Sequence, residues 1–161
     1  MDYLLDRLLM AHEAVCEQLY LVADYQDWRP SQPGGSGDSM QNDAWSFRLI
    51  GAHLAKLEQE SYLFQLDGLI RGTTQTFSSY WNTEAELGRP ELTDSIILWK
   101  ERRRKFVERI KNLGSDRDEL TANHDVHGTI TPDRLIEIAI NHDNDHLSHL
   151  IKIIHQFNAE D

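Results

Sequence analysis

The sequence predicts an all-α protein, an antiparallel four-helix bundle with long connecting loops. Three observations carry that prediction. Four long stretches place apolar residues at alternating spacings of three and four, the period of a helix with one buried face. Proline, glycine and serine gather between those stretches rather than inside them. No segment alternates apolar and polar residues as a half-buried strand does. At 161 residues the chain has the size of one domain, taken as residues 1–161, and its 40% hydrophobic content suffices for a core without disulfides.

The first helix runs from about Tyr3 to Tyr25, with Leu5, Leu8, His12, Val15, Leu19 and Val22 on its inward face. Arg29 to Asp43, rich in proline, glycine and serine, is a connection. Ser46 is the expected N-cap of the second helix, with Trp45 and Ile50 as a hydrophobic staple. Its inward stripe reads Ile50, His53, Leu57, Ser61 and Phe64, and Gly68 and Gly72 are expected to break it. Asp67 to Pro90, polar but carrying Phe77, Tyr80 and Trp81, is too long for a simple connection and reads as a loop with one short helix, packed on the bundle. The third helix starts near Thr93, stapled by Leu92 and Ile97, and stops at Gly114. Ile96, Trp99, Phe106, Ile110 and Leu113 form its stripe, and Arg103 intrudes at a core position. Thr131 and Pro132 open the last helix, stapled by Ile130 and Leu135, and its stripe continues through Ala139, His142, His146, Leu150, Ile153 and Phe157.

Composition narrows the function classes. A net charge of −11 repels phosphate backbones and anionic bilayers, so neither nucleic acid nor a membrane is an expected partner. Apolar runs are only a few residues long, too short for a span. Met1 is followed by Asp2 and an amphipathic stretch rather than a signal peptide, so the expected location is cytoplasmic. Cys16 stands alone, which excludes an intrachain disulfide or a cysteine-based zinc cluster.

The histidines carry the chemistry. In Asn141-His-Asp-Asn-Asp-His-Leu-Ser-His149, His142 and His146 lie one helical turn apart, about 40° around the axis, in the row that should fill the core. A buried imidazole left without a partner costs roughly 1–3 kcal/mol, so each must hydrogen-bond or coordinate. The i, i+4 spacing is also how one helix offers two nitrogens to a metal. His53 stands in the inward stripe of the second helix, and His53, His142 and His146 together would leave an open coordination position, the pattern of catalytic rather than structural zinc. His12, on the first helix, and His149 are rival ligands or pocket residues. His127, before Gly128, is placed to fold over the site, and Thr73 to Trp81 are candidates for roofing it. Asp143 and Asp145 flank the ligands as acceptors for their second ring nitrogens. Glu60 is the expected buried partner of Arg103.

Three segments resemble the DinB-like superfamily, the DinB/YfiT and bacillithiol or mycothiol S-transferase type of metal-binding bundle. Asp43-Ala-Trp-Ser-Phe-Arg-Leu-Ile-Gly-Ala-His53 is similar to the family's entry to its second helix, His127-Gly-Thr-Ile-Thr131 to its lead-in to the last helix, and His142-Asp-Asn-Asp-His146-Leu to its H-D-x-x-H-L signature. His149 departs from the polar residue usual after that signature. The resemblance implies a divalent transition metal, zinc, nickel or iron, held by His53, His142 and His146. It further implies a small-molecule substrate, transfer of a low-molecular-weight thiol, maleylpyruvate isomerisation or metal-dependent hydrolysis, and a homodimer. The alternative is a non-catalytic metal- or ligand-binding bundle of sensory or structural role, in which a fourth protein ligand closes the site. A third reading, an interaction protein with inward histidines bonded to carboxylates, requires no metal.

Overall fold

In the computed structural model, which describes residues 2–30 and 45–160, Asp2 opens the first helix by accepting from the Leu5 N–H at 3.3 Å. Helix α1 spans Tyr3–Leu21 and a 3₁₀ turn, Ala23–Tyr25, follows. All six residues of its expected stripe are buried. Most of the glycine-rich connection expected over 29–43 lies outside the described residues.

Ser46 caps α2 as expected, its hydroxyl accepting from the Leu49 N–H. Helix α2 begins in α form at Phe47–Leu57, widens to a π-helix over Glu58–Leu63, and returns to α form over Phe64–Arg71. The wide turn shifts the register of everything after it. Phe64, expected inward, is 48% exposed, while Gln65, Leu66 and Leu69 are buried in its place. Gly68 does not break the helix. A Cβ there would stand 2.4 Å from Phe77 Cζ, so the glycine admits the Phe77 ring against the helix. Gly72, at φ 67°, is where the helix stops.

The stretch that follows is anchored at both ends of its span. Phe77 is bonded through its backbone to Asn123 and Asp125, and a capping box of Thr83 and Glu86 sets the short helix α3, Glu84–Leu87. Helix α4 spans Leu92–Asn112. Leu92 is buried, but its expected staple partner Ile97 is 60% exposed. A two-stranded antiparallel hairpin, β1 Ala122–His124 and β2 Gly128–Ile130, stands where the sequence predicts no strand. Three residues per strand are too few for alternation to register. Helix α5 runs Pro132–Glu160, with the Thr131 hydroxyl accepting from the Arg134 N–H.

Residue pairs give the sense of each helix. Arg48 meets Glu91, Glu58 meets Arg103 and Asp67 meets Arg109, so α2 and α4 run in parallel. Arg117 bridges Asp2 and Asp133 at one end, and Tyr25 meets Phe157 at the other, so α1 and α5 are parallel too. His53 beside His146, with Tyr62 near His142, makes α2 antiparallel to α5. Glu13 with Lys100 and Gln26 with Glu91 make α1 antiparallel to α4. The bundle is therefore up-down-down-up, each helix having one parallel and one antiparallel neighbour. Two successive helices of the same sense require a connection that travels the length of the bundle, which is why residues 72–91 are long.

The apolar core falls into two clusters. One gathers Leu5, Leu8, Leu66, Phe106, Ile110, Leu135 and Ala139, and the other Val15, Leu19, Ile50, Leu54, Ile96, Trp99, Leu150 and Ile153. Between them in each of the four long helices lies a buried polar residue: His12 in α1, Glu58 in α2, Arg103 in α4, Asp143 and His146 in α5. Among the described residues no helix is long and apolar enough to cross a membrane.

Candidate metal centre

Within that polar layer His53, His142 and His146 come together, each offering one nitrogen and all three nitrogens lying within 4.8 Å of one another. The i, i+4 pair on α5 brings the Nε2 atoms of His142 and His146 to 3.1 Å. His53 reaches them across the antiparallel α2–α5 seam, its ring centroid 5.9 Å from that of His142 and 5.4 Å from that of His146. Trp45 packs edge-on against His53 at 5.2 Å, and the Tyr62 ring lies 6.2 Å from His142.

The donor set fits a cation. Nitrogens about 2.0–2.1 Å from one tetrahedral ion are about 3.4 Å apart, so the α5 pair already stands near ligand spacing. Two lone pairs cannot face each other at 3.1 Å without a proton or a cation between them. The Nδ1 atoms of both rings are buried and have no hydrogen-bond partner among the described residues. Burial holds all three imidazoles below their usual pKa, His142 at about 3, so the neutral form that ligates is present at neutral pH. His53 hydrogen-bonds through Nδ1 to Asn82 Oδ1 at 2.9 Å. An outer partner of this kind is what metal-bound histidines usually have.

Beside the histidines stands a buried ionic triad. Arg103 binds Glu58 through Nε and Nη2 at 2.9 and 2.7 Å, and Asp143 through Nη1 at 2.7 Å. The Trp99 indole N–H also donates to Glu58. Burial works against the charge on Arg103, but the two carboxylates outweigh it and hold its pKa above the usual value. Burial pushes Asp143 up to about 6 despite Arg103. The expected Glu60–Arg103 pair does not form: Glu60 lies on the outer side, bound by Lys56 and Tyr80. Helix α2 is covered on two sides, and Glu58 belongs to the face turned to α4, a second inward stripe beside the one that the apolar spacing marks.

The other candidates lie elsewhere. Asp143 faces Arg103 rather than an imidazole, and Asp145 is exposed. His12 sits 4.2 Å from the Trp99 ring with Cys16 beside it, outside the grouped nitrogens. His149 is partly buried on α5 and is not among them. His127 is exposed in the hairpin turn, its ring 4.6 Å from that of His124. Of the segment expected to roof the site, Trp81 is 64% exposed and the residue that reaches His53 is Asn82, one position beyond. Asn82 sits in a stretch without periodicity, so no pattern in the sequence aims it inward.

Comparison with known proteins places these features. A family model described as the DinB superfamily matches residues 5–150. Among solved structures the chain is similar to YfiT from Bacillus subtilis, described as a probable metal-dependent hydrolase with an unusual four-helix bundle topology. The two share 17% identity at a TM-score of 0.66, over 96% of this chain and 87% of that one. Likeness at that identity is one of fold. No curated protein matches the sequence.

Proposed function

The chain belongs to the DinB superfamily, and from that premise we propose a metal-dependent enzyme that attacks small electrophilic substrates at a three-histidine site, by hydrolysis or by transfer of a low-molecular-weight thiol. The observation that carries this reading is the convergence of His53, His142 and His146 from two helices within a buried layer. When bound, a divalent transition metal lowers the pKa of a water or thiol and so supplies a nucleophile near neutral pH.

The chain's own residues do the rest. Three neutral imidazoles add no negative charge, so they hold a dication without quenching it. Among the described residues the group contains three histidines and no fourth His, Cys, Asp or Glu ligand, so the protein supplies three of the four ligands of a tetrahedral ion. Trp45 and Tyr62 keep apolar surface against the rings. The protein offers no thiolate of its own, because burial pushes the Cys16 thiol up to about 12. The description of YfiT as a probable metal-dependent hydrolase supports the hydrolytic branch. An imidazole-only set does not choose among zinc, nickel and iron.

Elemental analysis of untagged protein tests the proposal. We expect about one transition metal per chain in the wild type and none in His53→Ala and His142→Ala. Hydrolysis of p-nitrophenyl esters and conjugation of a small thiol to a bimane electrophile should both be assayed, and whichever activity is present should fall to background in the same variants. Wild-type protein that takes up no metal after reconstitution with zinc, nickel or iron would overturn the reading.

A further inference from the structure

One hydrogen-bonded path leaves the metal centre and ends at the surface. His53 Nδ1 lies 2.9 Å from Asn82 Oδ1, Asn82 Nδ2 lies 3.0 Å from the Tyr80 oxygen, and the Tyr80 hydroxyl meets Glu60 Oε2. Lys56 closes the path, its Nζ 2.6 Å from Glu60 Oε1. All of it is carried by two turns of α2 and by the connection 72–91.

Donor and acceptor counting along this path has one solution. A carboxylate can only accept. Partial burial opposes the charge on Glu60, but Lys56 and the Tyr80 hydroxyl outweigh it and hold the carboxyl below its usual range. Burial raises the Tyr80 phenol to about 12, so it keeps its proton. Tyr80 must therefore give that proton to Glu60, and its oxygen is left to accept. The group of Asn82 facing Tyr80 must then be the NH₂, which turns the carbonyl oxygen towards His53. His53 must meet that oxygen with an N–H at Nδ1, so Nε2 carries the lone pair. The reversed amide would set Asn82 Oδ1 against a phenol oxygen whose only proton is already committed.

We infer that Glu60, Tyr80 and Asn82 act as one positioning chain that fixes the tautomer of His53, so that its Nε2 lone pair is presented to the site formed with His142 and His146. The polarity of a surface carboxylate is thereby read three groups away at a buried imidazole. None of the three need touch substrate. The connection that brings the chain back along the bundle also completes the site. The inference rests on the metal reading above only for its effect on affinity; the tautomer belongs to the metal-free protein.

Long-range ¹H–¹⁵N correlation spectra of the metal-free protein, with zinc affinity from chelator competition, provide the test. The wild type should show His53 as the Nδ1–H tautomer. Tyr80→Phe, which removes the hydroxyl and little else, should give a mixture of tautomers and a zinc affinity about 10–100-fold weaker. Asn82→Leu should weaken zinc to a similar extent, and Asn82→Asp, which can only accept, should restore the Nδ1–H tautomer and the affinity. An Nε2–H tautomer in the wild type overturns the inference, as does a Tyr80→Phe protein with unchanged tautomer and affinity. A wild type that binds no zinc yet shows the tautomer responding to Tyr80→Phe removes the metal reading and supports the positioning chain.

Discussion

Arg103 illustrates how much a single residue decides in this core. Its side chain is wholly buried, as are Glu58 and Asp143. A buried guanidinium is tolerated here because its planar fork is matched by two carboxylates. With both carboxylates ionised, the triad carries a net charge of −1. Arg103→Leu would strand two buried carboxylates, and breaking a buried pair from one side costs about 3–5 kcal/mol. Urea denaturation should show the unfolding free energy lowered by that amount, through a lower midpoint at an unchanged m-value. Arg103→Lys keeps the charge but not the fork, and should recover only part of the loss. A loss under about 1 kcal/mol in Arg103→Leu would mean that the carboxylates find water or protons instead. That an arginine occupied a core position was legible in the sequence from the helical stripe of α4. Its partner was not, because α2 has two inward faces and a stripe drawn on one of them misses Glu58.

At the scale of elements, periodicity disclosed the four helices, the Ser46 and Thr131 caps and the inward placing of His53, His142 and His146. It failed where the helix itself changes period. The π-helix at Glu58–Leu63 adds a residue to the turn, so Phe64 swings outward and Gln65 and Leu69 take the buried face. It failed again at Gly68, where the sequence signals a break and the structure uses close approach to Phe77. That contact pins the connection 72–91 to α2, while the backbone bonds from Phe77 to Asn123 and Asp125 pin it to the hairpin. Asn82, which meets His53, follows five residues after Phe77 in the same connection. Gly68→Ala should raise intrinsic helix propensity by up to about 1 kcal/mol, yet overpacking against a buried ring costs about 1–3 kcal/mol. We expect net destabilisation in thermal denaturation, largely relieved when Phe77→Leu is added. A Gly68→Ala protein more stable than wild type would show that the ring yields freely and that the connection is not held there.

Taken whole, the molecule interrupts its own core. Two apolar clusters lie towards opposite ends of the bundle, and the layer between them holds His12, His53, Glu58, Arg103, Asp143 and His146. Such a layer contributes little hydrophobic stabilisation and imposes the desolvation of charges and imidazoles. A dication at the three nitrogens would sit beside the net negative triad and tie α2 to α5, whose contact at this level is made of imidazoles rather than aliphatic side chains. Binding to the folded state alone adds about 2.7 kcal/mol at a free metal concentration one hundred times the dissociation constant. For a chain of this length each kcal/mol moves the midpoint by about 2–4 °C, so zinc should raise it by about 5–11 °C. Because the chain carries a net charge of −11, weak binding of cations to surface carboxylates must be separated from binding at the site. Two controls do so. Added salt screens the surface term but not the buried one, and His142→Ala removes the site while leaving the surface intact. The shift should survive 0.5 M salt in the wild type and vanish in His142→Ala; an equal rise in both proteins would place the metal on the surface and leave the buried layer without its ion.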